Sequence, residues 1–88
     1  MTAIQTPVTD KLFHAYLAAG EDARLASIAA DEARDYASSD GARFKTPRVR
    51  ATILARERET REAAERAEAE HERARAAYYA ATGRTVTL

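Results

Sequence analysis

The chain has no cysteine and no tryptophan in 88 residues. Without cysteine, neither a disulfide nor a thiolate metal centre can stabilise a small fold. It holds three glycines and two prolines, too few to build a glycine-rich phosphate loop and few enough to leave long stretches free for helix. No run of about 18 apolar residues occurs, which excludes a membrane-spanning helix on hydropathy. The start lacks the basic region and apolar core of a secretory leader, so a cytoplasmic location is the default expectation. Neither sign of charge dominates: 14 bases balance 14 acids. Strong non-specific attraction to nucleic acid is therefore not expected. Large apolar side chains are also scarce, 18 counting Met, Ile, Leu, Val, Phe and Tyr. A core in a chain this short rarely supplies more than about 3–5 kcal/mol, which leaves helix packing and oligomerisation as means of stabilisation.

What is present is alanine, arginine and glutamate. Alanine fills 22 positions, and arginine outnumbers lysine 12 to 2, as expected of a GC-rich bacterial or phage genome. The charges are segregated. Residues 1–40 carry a net −4, residues 41–56 a net +5 and residues 57–88 a net −1.

The fold class expected is all-α: one domain, an antiparallel two-helix hairpin, coiled-coil-like and alanine-rich, with a short extended tail at each end. Residues 1–8 read as an extended tail and 9–38 as helix one, with a kink possible at Gly20, where glycine costs about 1 kcal/mol relative to alanine. Residues 39–46 form a basic loop with Gly41 for the turn. Residues 47–82 form a long helix two, with Thr46 as cap, Pro47 at the first helical position and Gly83 past the end. Residues 83–88 are β-branched and alternating, and could pair with the other tail or with a partner's sheet edge.

Helix one carries two apolar faces. Leu12, Tyr16, Ala19, Ala23, Ala26, Ala30, Ala33 and Ala37 alternate steps of four and three, a small-residue seam that permits close helix approach. Leu17, Leu25, Ile28 and Tyr36 lie roughly opposite. Two packings follow. The large residues could sit against the alanine-only middle of helix two, or the alanine seam could face helix two and leave Leu17, Leu25, Ile28 and Tyr36 for a second protomer or partner. Helix two is apolar mainly at its ends, with Val49, Ile53 and Leu54 at one and Tyr78 and Tyr79 at the other. A weaker seam runs through Ile53, Thr60, Ala64, Ala67, His71, Ala74, Tyr78 and Ala81, interrupted by Glu57. Its surface is expected to carry Glu57–Arg61, Arg58–Glu62, Arg61–Glu65, Glu62–Arg66 and Arg66–Glu70 pairs at i,i+4.

No catalytic constellation is present, and no cofactor site is expected. The serines have no histidine near them in sequence and no nucleophile-elbow glycines, so an enzyme is not expected. Glu68 and His71 form Glu-x-x-His, which sets a carboxylate and an imidazole on one helix face. That spacing resembles one quarter of a di-iron helical bundle, where it occurs twice beside two further glutamates. Here it occurs once, with a second copy available only from another protomer and Glu21 as a further ligand from helix one. His14, beside Phe13, reads as structural or exposed. Tyr36-Ala-Ser-Ser-Asp40 is similar to the export signal of small actinobacterial helical hairpins. It precedes the turn instead of following the second helix, and the Trp-x-Gly turn of that family is missing, so no export role is drawn from it.

The remaining candidates are surfaces. Leu17, Leu25, Ile28 and Tyr36 on helix one, with Phe13, Tyr16, Tyr78 and Tyr79 at the open end, are expected to contact a protein partner or a second copy. Arg43, Phe44, Lys45, Arg48 and Arg50 form a basic tip, where a helix N-terminus favours anions and Phe44 could stack on a base. The simpler role for Phe44 is a hydrophobic staple at the start of helix two. The function expected is a non-enzymatic interaction protein: an adaptor, assembly factor or inhibitor. A nucleic-acid-binding protein using the basic tip is the rival.

Overall fold

The computed structural model describes residues 7–83. Three helices follow one another: α1 (Pro7–Ala37), α2 (Asp40–Arg43) and α3 (Pro47–Thr82). The two long helices lie along each other as an antiparallel hairpin, and α2 forms one turn at the elbow. No helix among the described residues is long and apolar enough to cross a membrane. The tails over 1–6 and 84–88, expected to be extended, lie outside the described residues.

Local chemistry sets the ends of α3. Thr46 has an extended backbone, and its hydroxyl accepts from the Val49 N–H at 3.3 Å. Pro47 follows, where its missing N–H costs nothing. Gly83 ends the helix in the left-handed region, φ 74°, and its N–H turns back to the carbonyls of Ala80 and Tyr79. A side chain at that φ would be strained, which explains glycine there.

Three expectations about the elbow and α1 are corrected. Residues 7 and 8, read as part of the extended tail, belong to α1, because proline suits a first helical turn as well as it blocks an earlier one. Gly20 does not interrupt the helix, which runs unbroken from Pro7 to Ala37. The basic loop is partly helical: Ser39 caps α2, its hydroxyl accepting from the Ala42 N–H at 3.2 Å and donating to the Tyr36 carbonyl at 2.6 Å. Gly41 accordingly sits within this turn of helix, without a positive φ.

The hairpin seam is built from small residues. Ala19 and Ala23 are buried, at 8% and 6% exposure, and the other members of the α1 alanine seam are half-buried. From α3, Ile53, Thr60, Ala64, Ala67, His71 and Ala74 meet them half-buried, while Ala81 is exposed. The side chain of Glu57, where the α3 seam is interrupted, is 21% exposed and pairs outward with Arg61 at 3.1 Å. Of the other i,i+4 pairs expected along α3, none closes. Glu70 and Glu72 instead turn to Arg73 and Arg75 three residues on. Exposed pairs of this kind are worth a few tenths of a kcal/mol, too little to fix one geometry.

Candidate functional site: the outer face of α1, the elbow and the His71 cluster

The second of the two packings is the one observed. With the alanine seam against α3, Leu17, Leu25, Ile28 and Tyr36 point away from it and are 53%, 51%, 41% and 48% exposed. The alternative, with Leu17, Leu25 and Ile28 against the middle of α3, is thereby overturned. The physical reason is separation: alanines let the helix backbones come close, and larger residues on the seam would hold them apart. The large side chains form a stripe on α1 that no described residue covers. Between them stand Glu21 and Glu32, both exposed. Arg24 donates to Glu21 at 2.6 and 3.1 Å. That hydrogen bond holds the Glu21 carboxyl below its usual range and raises Arg24 above its own. A shallow cleft lined by Ala29, Ala33, Tyr36 and Ile53 continues the stripe toward α3.

The open-end aromatics lie elsewhere in this arrangement. Tyr78 is the one large side chain buried among the described residues. Phe13 packs on it with ring centroids 5.2 Å apart, and Tyr16 stacks near it at 5.9 Å. Tyr79 lies 5.6 Å from Tyr78, with the Arg75 guanidinium 5.8 Å from its own ring centre. Phe13, Tyr16 and Tyr79 are half-buried. Such aromatic pairs each add about 0.5–1.5 kcal/mol beyond area burial. These four side chains close the open end of the hairpin on itself, which leaves them less surface for a partner than the α1 stripe has.

His71 extends this cluster. Its ring stacks on Tyr16 at 5.4 Å and 20°. A Cβ built at Gly20 would lie 3.1 Å from its Nε2, so glycine is what lets the imidazole lie against α1. Its Nδ1 stands 4.0 Å from the Glu68 carboxylate. The third group that could join a metal ion there is Glu72: ligand atoms of Glu68, His71 and Glu72 lie within 4.8 Å of one another. Glu21, the further ligand considered from helix one, is engaged by Arg24 instead. Glu72 escaped the sequence reading because its i+4 spacing from Glu68 is common in a glutamate-rich helix. His14 is exposed beside Phe13, with ring centroids 6.1 Å apart.

At the elbow, Arg43, Phe44, Lys45, Arg48 and Arg50 are all exposed, Phe44 at 82%. The staple expected of Phe44 is not made. Ala42, 3% exposed, makes the apolar contact of this turn, and Phe44 follows at the C-terminal cap of α2. Arg43 lies 3.6 Å from Asp40. Lys45, Arg48 and Arg50 have no ion pair among the described residues.

No protein-family model, no curated protein and no solved structure matches the chain.

Proposed function

We propose that this chain is a non-enzymatic interaction protein, an adaptor, assembly factor or inhibitor, that works by docking the outer face of α1 on another helix. One observation carries the reading: Leu17, Leu25, Ile28 and Tyr36 of α1 are exposed along one face while alanines take the inside. Several large apolar side chains exposed along one helix face of a small chain mark a contact site. Side chains at helical spacing are the anchors a helix offers to a groove or to a second helix. Tyr36 is the residue expected to contribute most to the contact. The alanine and arginine content agrees with a bacterial or phage source.

The double substitution Leu25→Glu with Ile28→Glu tests this. It should abolish association, read as native mass in solution and as partners captured from the source cells' lysate, while circular dichroism still reports a helical chain. Unchanged mass and unchanged capture would overturn the proposal.

A second reading rests on Phe44, which stands in solvent between Arg43 and Lys45 beside the N-terminus of α3. An exposed aromatic among cations suits stacking on single-stranded nucleic acid. In that case Arg48→Glu with Arg50→Glu should remove a salt-sensitive mobility shift of labelled RNA or DNA. No shift with the unsubstituted protein at low salt excludes it.

A further inference from the structure

The exposed stripe of α1 has a property that a surface for an unrelated partner does not require. Its members are Leu17, Glu21, Leu25, Ile28, Glu32 and Tyr36, and the steps between them are four, four, three, four and four, the same read from either end. Leu25 mirrors Ile28, Glu21 mirrors Glu32, and Leu17 mirrors Tyr36, about a point between Ala26 and Ser27. We propose that the occupant of this face is a second copy of the chain, docked antiparallel about that point so that the two α1 helices lie side by side between the two α3 helices. The proposal rests on the outer face of α1 being the docking surface and names what docks there.

A two-fold interface must be self-complementary, because each patch meets its own copy. Antiparallel pairing about this midpoint places Leu25 against the partner's Ile28 and Leu17 against the partner's Tyr36. The contact, apolar at its centre and at its two ends, then runs about 28 Å along α1 at 1.5 Å per residue. The acids do not oppose it unaided. Glu21 would meet the partner's Glu32, and the Arg24 guanidinium, already 2.6 Å from Glu21, sits within one helical turn of that carboxylate. Each Arg24 can thus bridge a carboxylate from each copy, once on either side of the axis. The hairpin also needs such a cover. Its buried residues among those described are three alanines and one tyrosine, little for a chain of this length to stand on. A second copy is present wherever the first is, as a permanent cover must be.

The test uses the purified full chain. Sedimentation should give a dimer at micromolar concentration, and a monomer throughout would overturn the proposal. The absence of native cysteine allows the register to be read directly. Leu25→Cys and Ile28→Cys proteins, mixed and oxidised, should form mainly the mixed cross-link, since only opposed positions bring the two Cβ atoms within about 4.5 Å. Predominant 25–25 and 28–28 cross-links, or none, would overturn it. Glu32→Lys keeps the apolar residues and places a cation opposite the partner's Glu21, so it should tighten the dimer; an unchanged or weaker dimer counts against the register. A monomer whose lysate capture still depends on Leu25 and Ile28 would reject the second copy and leave the docking reading of the face standing.

Discussion

The two faces of α1 use apolar residues in opposite ways. Toward α3 stand Ala19 and Ala23, almost without exposure; away from it stand Leu17 and Leu25, each about half exposed. On a transfer scale the leucines have the stronger claim to the interior, since burying one is worth about 1.5–3 kcal/mol. They are nevertheless outside. A hairpin of two helices has one seam, and the alanine seam allows the closer approach, with more backbone contact along its whole length. The stabilisation left unused on the outer face is then available to whatever covers it. The open end differs from both faces: there Phe13, Tyr16, His71, Tyr78 and Tyr79 interlock across the hairpin.

Four measurements test this contrast. The largest effect is expected at the open end. Tyr78→Ala removes the one large buried side chain among the described residues and should cost about 3–5 kcal/mol in chemical denaturation, as aromatic truncations in cores do. A cost near zero would mean that the aromatic cluster does not hold the hairpin. Next comes one substitution made on both faces. Ala23→Leu should cost about 1–3 kcal/mol by overfilling the seam. Ala18→Leu, at an exposed position of the same helix, should stay within about 0.5 kcal/mol. Equal effects would remove the distinction between the faces.

Gly20 provides a third, smaller test. In a His71→Ala background, Gly20→Ala should stabilise by about 1 kcal/mol through helix propensity. In the unsubstituted protein that gain should shrink or reverse, because the new Cβ lies 3.1 Å from the imidazole. A double-mutant cycle with no coupling would show that the ring does not rest on Gly20. The smallest effect belongs to Glu21. Its carboxyl is held below the ordinary 4.5 by the Arg24 hydrogen bond. Its contribution is therefore present above that ordinary value and lost as pH falls through the lowered one. Glu21→Gln should lower the melting midpoint slightly at neutral pH, with no difference from the unsubstituted protein in strong acid. A difference that persists there would assign the effect to something other than the ion pair.

Much of the fold is legible along the chain because it is local. The cap at Thr46, Pro47 at the first helical position and the left-handed stop at Gly83 depend on residues within one turn, and they bound α3 without help from the rest of the protein. The two candidate faces of α1 follow from spacing alone, as does the basic cluster near the elbow. The elbow itself is less legible. Its single turn of helix, the buried Ala42 and the exposed Phe44 depend on how the chain reverses against both long helices. The glycine at position 20 is explained by His71, 51 residues further along the chain.

An all-helical hairpin, the ends of its long helix and the existence of a second apolar face can thus be read along the chain. These rest on hydrogen bonds and periodicities that span a few residues. Packing of the two long helices sets which face of α1 turns inward, makes Tyr78 rather than any leucine the large buried side chain among those described, and leaves Leu17, Leu25, Ile28 and Tyr36 exposed. The reason is that inside and outside are set by how closely two distant helices can approach. That distance depends on the side chains of both at once, which no window along one of them contains.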